Sequence, residues 1–322
     1  MTDATPLVTL ADLFAAAERV RGTAVRTPVI SLPWPGATAA HPFRVKCENL
    51  QPMGAFKVRG AFNILSQLPA DVRARGVITY SSGNHGQGVA MAAQAMGVPA
   101  VIVMPTTAPA VKVDGVRSYG AEVIFAGTSS IDRQTRAEAE AAARGLSIIP
   151  PFDHPMIIAG QGTVGLELLE QVPDLGTVFV PMGGGGLIAG VSAAIKLSRP
   201  EVRVVGVEPV GAMKMRAARD AGHPVTLEKS ASIGDGIMNM RAGDLTFAHV
   251  QAYVDDLVAV PDEAMAKAVG WLFRNARLVA EPSGAASTAA VMLGLGAPVG
   301  TVVAIVSGGN VQPDHFAKYI TS

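Results

Sequence analysis

The chain has 322 residues, with 26 basic side chains balanced by 26 acidic ones and a 49% hydrophobic share, enough for two lobes around sizeable cores. That balance offers no net field to nucleic acid or an anionic membrane, so neither is expected as a partner and a small molecule is. The single Cys47 excludes an intramolecular disulfide framework and a multi-thiolate metal site.

The N-terminal MTDATPLVTL has no basic region followed by an apolar run. No later stretch approaches the roughly 20 apolar residues of a membrane span. A soluble, cytoplasmic protein is expected. A proline-rich patch at 32–35 reads as a connection. Strands are expected at 76–80, 100–104 and 122–125, with helices over 87–96 and 133–144. A second proline-rich stretch, 149–155, reads as a connection and as the better place for a domain crossing. A helix is expected to open at Thr163 and run to Leu169, followed by strands at 177–180, 202–207 and 301–306 and helices at 187–197 and 263–276. Short β-branched runs alternating with alanine-rich helices predict an α/β fold with open, mostly parallel sheets covered by helices on both faces. No repeat, low-complexity tract or charge block appears. The sequence ends soon after Asn310, so no appended regulatory domain is expected.

Three glycine-containing segments carry the chemistry. In Met182-Gly183-Gly184-Gly185-Gly186-Leu187, consecutive N–H groups are unobstructed just before a helix, as a phosphate cradle requires. It lacks the GKS or GKT ending of a nucleotide P-loop, and a tight packing turn is the alternative. Lys57, in GAFKVRG, sits in an apolar, glycine-flanked setting where desolvation lowers an amine pKa and suits Schiff-base chemistry; a surface lysine at a helix start is the alternative. Ser81-Ser82-Gly83-Asn84-His85 gathers hydroxyl, amide and backbone donors suited to a substrate carboxylate, or simply caps the following helix. The other histidines, His41, His154, His223, His249 and His315, show no metal spacing, so no metal site is expected.

Taken in order, ENLQPMGAFKVRGA, SSGNHGQG, AGQGT, GGGGLIAG, VEP, EPSGA and SGGN resemble the fold-type II pyridoxal-phosphate enzymes, tryptophan synthase β-like in architecture, of the threonine and serine dehydratase and serine racemase group. The resemblance implies a large cofactor-binding domain of residues 1–51 and 151–322 and a small substrate-loop domain of residues 52–150. It implies that Lys57 holds pyridoxal 5'-phosphate as a Schiff base and then takes the Cα proton. Phe56 would pack on the ring, Asn84 would meet its hydroxyl, and Gly183, Gly184, Gly185, Gly186 and Leu187 would bind the phosphate. Gly236 and Glu281 would lie near the ring, and Ser307 would face the pyridine nitrogen. Ser81, Ser82, Gly83, Asn84 and His85 would hold the substrate carboxylate.

The implied reaction is β-elimination of water from a small β-hydroxy amino acid, L-threonine or L-serine, giving a 2-oxo acid and ammonia. Ser82 resembles the serine racemases, where a serine acts on the face opposite the lysine. Arg133 resembles an arginine that in some relatives meets the second carboxylate of threo-3-hydroxyaspartate. These keep a racemase and a hydroxyaspartate dehydratase as alternatives. Lys214 departs from metal-binding relatives, which carry an acidic residue there; its ammonium is expected to pair with Glu208 in place of a cation. Similar enzymes are dimers or tetramers, so a homo-oligomer is expected.

Overall fold

The computed structural model describes residues 6–36, 40–81, 83–108 and 110–321. Helix α1 (Leu10–Val20) opens with a reciprocal cap, in which Thr9 Oγ1 accepts from the Asp12 N–H and the Asp12 carboxylate accepts from the Thr9 N–H. Strands β1 (Val29–Leu32) and β2 (Phe43–Lys46) pair antiparallel, and α2 (Lys57–Leu65) and the short α3 (Ala70–Arg75) follow.

Three successive βαβ units then form: β3 (Val77–Tyr80), α4 (Asn84–Met96), β4 (Ala100–Met104), α5 (Ala110–Arg117), β5 (Glu122–Phe125), α6 (Ser130–Arg144) and β6 (Ser147–Ile148). Their strands make a parallel four-stranded sheet in the order β5-β4-β3-β6. The chain continues through α7 (Pro155–Gln171), β7 (Leu175–Pro181), α8 (Gly186–Ser198), β8 (Arg203–Pro209), α9 (Lys214–Ala221) and α10 (Asp244–Tyr253). It closes with β9 (Asp256–Val260), α11 (Asp262–Ala276), α12 (Pro282–Met292), β10 (Thr301–Ile305) and α13 (Pro313–Thr321). The second sheet has six strands in the order β1-β2-β10-β7-β8-β9, parallel except for β1.

Both sheets are covered on both faces, which is why their strands read as apolar runs without alternation. Along β10, Val302 and Ala304 enter one core while Val303 and Ile305 enter another; along β4, Ile102 and Met104 face one core and Val101 and Val103 the next. The order also places two reversals. Strand β7 lies between β10 and β8, and β3 lies between β4 and β6, so the chain leaves each to opposite sides. Crevices at such reversals, beyond the carboxyl ends of the strands, are where α/β sheets bind ligands.

One helix is longer than expected. Helix α7 starts at Pro155, so Thr163 lies in its middle. Gly160 and Gly162 are contact points. A Cβ on Gly160 would stand 2.6 Å from Gly60 Cα in α2, and one on Gly162 would stand 2.8 Å from the Gly190 carbonyl in α8. The glycine cost in helix propensity is offset by close helix contact. No described helix is long and apolar enough to cross a membrane.

Candidate active site

Lys57 is the first residue of α2. The chain just before it is tied to the end of β10: the Phe56 N–H donates to the Ser307 carbonyl at 3.2 Å, and Ala55 bridges Gly308. The Lys57 amine donates to the Pro151 carbonyl at 2.9 Å and lies 5.2 Å from the centre of the Phe56 ring. Burial without a counter-ion lowers its pKa to about 8. A free amine is therefore accessible near neutrality. Gly88 of α4 has no room for a side chain, since its Cβ would sit 3.1 Å from that of Lys57.

Two residues on, Arg59 anchors this helix. Its buried guanidinium meets both oxygens of Glu48 at 2.8 Å and those of Glu167 at 2.7 and 3.0 Å, while Lys46 meets Glu167 at 2.5 Å. Burial alone would raise the Glu48 pKa, but Arg59 and Lys46 outweigh it and the net shift is downward. Two cations face two carboxylates, so no buried charge is left unpaired.

The glycine segment leaves β7 at the first reversal and opens α8, with Gly185 as its N-cap at φ +103°. That dihedral belongs to glycine. A Cβ on Gly184 would lie 2.4 Å from the Phe152 ring, and one on Gly183 2.7 Å from Asn239 Oδ1. The Gly184 carbonyl accepts from Thr246 Oγ1 at 2.7 Å and from the Gly243 N–H at 3.2 Å. Leu187 is buried in the core behind, so only its main chain is available to a ligand.

Below this loop lies Lys214, fully buried, with its ammonium 3.2 Å from Glu208. It also donates to the carbonyls of Met182 at 2.7 Å, Ile237 at 3.0 Å and Ala212 at 3.2 Å. Glu208 also accepts from the Met215 N–H at the same oxygen, Oε1, at 2.9 Å, and from the Arg216 N–H at Oε2 at 3.0 Å. The expected pairing is present, and the ammonium joins the residue before the glycine loop to the residue after Gly236.

At the second reversal, beyond β3, Ser81 Oγ accepts from the Gly83 N–H at 3.2 Å, and Asn84 opens α4. Ser82 lies outside the described residues. Asn84 Nδ2 donates to Glu281 Oε1 at 2.6 Å, while its Oδ1 accepts from Asn310 Nδ2 at 2.8 Å. His85 is buried with Nε2 3.2 Å from the Ile149 carbonyl; burial, reinforced by the Lys57 charge, drops its pKa to about 3 and keeps it neutral. Glu281 behaves oppositely. Burial, then the charge of Asp235, push its pKa up to about 7, with Lys112 opposing.

Gly236 completes the circuit, its would-be Cβ 3.9 Å from Glu281 Oε1, and a Cβ on Gly183 would lie 3.1 Å from the Gly236 carbonyl. A Cβ on Gly308 would lie 2.4 Å from Glu281 and 3.1 Å from Asn84. Lys57, the glycine loop, Gly236, Glu281, Asn84 and Ser307 thus converge between the two sheets. The Arg133 guanidinium donates to the Thr128 carbonyl at 3.3 Å beside its own helix start. Sequence reasoning missed Pro151, Phe152, Asn239, Thr246, Lys112 and Asp235; the first two were read only as a connection.

The family described as pyridoxal-phosphate dependent enzyme matches residues 20–308. The chain belongs to that family. The site fits its cofactor: bare N–H groups at a helix N-terminus suit a phosphate, and a desolvated amine suits an aldehyde. L-Threonine ammonia-lyase of Thermotoga maritima is 41% identical over 98% of this chain and 78% of its own. L-threo-3-hydroxyaspartate ammonia-lyase of a Pseudomonas species is 38% identical over 96% of this chain and 97% of its own. The structure of maize serine racemase superposes with a TM-score of 0.93 at 37% identity, covering 98% of each chain. Among biosynthetic L-threonine dehydratases that also match, the chain spans about half of their length, 47% and 54% in two cases.

Proposed function

We propose that this pyridoxal-phosphate enzyme is a threonine/serine ammonia-lyase, removing water from L-threonine or L-serine and releasing a 2-oxo acid and ammonia. The observation that carries the reading is Lys57. Its amine, brought to about 8 by burial, stands between a loop built for a phosphate and a loop built for a carboxylate.

The N–H groups of Gly183, Gly184, Gly185, Gly186 and Leu187 would hold the cofactor phosphate, and Phe56, Asn84, Gly236 and Glu281 would line the place of its ring. When bound, pyridoxal phosphate supplies an electron sink for the charge that develops at Cα. Ser81, Ser82, Gly83, Asn84 and His85 receive the substrate carboxylate and so fix which Cα bond is aligned for cleavage. Lys57 takes the Cα proton and, as the ammonium so formed, returns a proton to the departing β-hydroxyl, which leaves as water. Ser307 would offer the pyridine nitrogen a hydroxyl, which does not enforce protonation as a carboxylate would and so would favour loss of the β-hydroxyl over transamination. Addition of one water to the released enamine, by way of its imine, yields the 2-oxo acid and ammonia. Residues 52–150 act as a small lobe that closes on the lobe of 1–51 and 151–322 and excludes water. The working form is a cytoplasmic homodimer or homotetramer.

Incubating the purified protein with L-threonine, L-serine, D-serine and L-threo-3-hydroxyaspartate tests this. Rapid 2-oxobutanoate and ammonia from L-threonine are expected. Rapid oxaloacetate from hydroxyaspartate alone would replace the reading with the hydroxyaspartate dehydratase, and D-serine from L-serine without ammonia would make Ser82 the second-face acid of a racemase.

A further inference from the structure

Lys112 and Asp235 lie far from each other in sequence and belong to different sheets. Lys112 stands on α5, beside the four-stranded sheet; Asp235 opens the 3-10 turn Asp235–Ile237 that carries Gly236. Their side chains meet as an ion pair in which Lys112 is only 12% exposed and Asp235 50%. On its way the Lys112 ammonium passes over the substrate loop, 3.8 Å from where a Cβ of Gly83 would stand. The pair therefore closes the junction on the side of Ser81–His85.

Glu281 is the third charge of this group. It is buried, and its neutral partner is Asn84; the charges that bear on it are Asp235, which disfavours its anion, and Lys112, which favours it. Asn84 reaches it from α4 across the same junction at 2.6 Å. Two of the groups facing Glu281 thus belong to the four-stranded side and leave together if the sheets part. Asp235 stays behind.

We propose that Lys112 and Asp235 are positioning residues that form a charge latch across the junction and tie the proton on Glu281 to closure. With the latch made, Lys112 offsets the charge of Asp235 and favours the Glu281 anion; with Lys112 withdrawn, Asp235 acts on Glu281 unopposed and favours its protonated form. A carboxyl beside the cofactor then changes charge between the state that admits substrate and the state that reacts. The inference rests on the cofactor placement proposed above but not on which amino acid is the substrate.

The test uses two variants of opposite sign in the cofactor-loaded enzyme without substrate. The infrared carbonyl band of a protonated carboxyl, assigned through its loss in Glu281→Gln, is followed against pH. Lys112→Met should move its midpoint up and Asp235→Asn should move it down, each by about one pH unit for a charge at this range in a partly solvated site. Lys112→Arg, which keeps the cation, should titrate near the wild type. The acid limb of kcat/KM for whichever substrate is turned over should follow in the same directions. A merely structural pair would give Lys112→Met and Asp235→Asn the same shift, or none, and either result would overturn the proposal. Loss of turnover with the infrared shifts intact would instead count against the functional reading.

Discussion

Two helix N-termini face the same junction, each at the point where a sheet's chain order reverses, and they are built differently. Helix α8 begins in four glycines with no side chain toward the ligand; the scaffold behind is fully packed by Phe152, Asn239, Thr246 and the buried Lys214. Helix α4 begins with Asn84 and His85, side chains with defined partners, and its Gly83 has open space apart from Lys112. A phosphate of constant shape is suited to main-chain donors fixed from behind. A substrate that arrives and leaves is suited to a side chain such as Asn84, whose partners Glu281 and Asn310 lie across the junction. On the proposed function, the packed side is the cofactor's and the open side the substrate's.

The largest effect should come from the residue that serves both. Lys57→Ala should lower turnover by about 10⁴-fold, the upper range for loss of a positioned proton-transfer group. It should also abolish the absorbance band of the lysine-linked cofactor while leaving phosphate binding at α8. Cofactor retained after dialysis, set against turnover, checks both; loss of cofactor would show that the glycine loop does not hold it alone.

Breaking the scaffold beneath α8 should come next. Lys214→Met leaves Glu208 buried without its cation, a change that costs about 3–5 kcal/mol when a buried pair loses one partner. Urea unfolding should register it, and Glu208→Gln in the same chain should restore part of the loss. Because the ammonium already fills this oxygen-lined position, exhaustive chelation should leave wild-type activity unchanged.

The comparison sharpens with two identical substitutions. Gly184→Ala forces a methyl to within 2.4 Å of Phe152 and should weaken cofactor affinity roughly 10- to 100-fold, consistent with about 1–3 kcal/mol of overpacking. Gly83→Ala meets nothing nearer than the Lys112 amine at 3.8 Å and has φ −151°, so it should leave cofactor affinity unchanged. Titrating the cofactor-free proteins with pyridoxal phosphate would reveal equal effects if the two loops were built alike.

How much of this was legible in sequence follows the same division. The strand at 100–104 falls where its apolar run placed it, because a doubly covered strand carries its signal locally. The glycine loop and Lys57 were legible as motifs. Strands β1 and β2 gave weaker signals: Ser31 and Arg44 interrupt their apolar runs, and pairing in the sheet makes up the difference. The start of α7 was hidden because its glycines are selected by contact with α2 and α8. The Lys112–Asp235 pair and the Arg59 cluster join residues 123 and 108 positions apart, and no local pattern encodes such distances.

The smallest expected effect concerns pH and separates the two sides once more. His85 is held neutral in the fold, its pKa lowered to about 3 by burial and by Lys57, against 6.5 for an open imidazole. Between those values the unfolded chain binds a proton that the folded chain does not, so stability falls as pH falls from about 6.5 toward 3. At pH 5.5 the loss should be about 1 kcal/mol. His85→Gln, which keeps a hydrogen-bonding side chain but cannot titrate, should reduce the fall of the unfolding free energy over that window, leaving the part due to His249 and His154, whose pKa values burial also lowers. Lys57 acts at the other end: its folded pKa of about 8 lies below the ordinary 10.5, so stability of the cofactor-free protein should rise between those pH values, and Lys57→Ala should remove the rise. Acid sensitivity that survives His85→Gln unchanged would place the responsible group elsewhere and break the assignment of the titrating charge to the substrate loop.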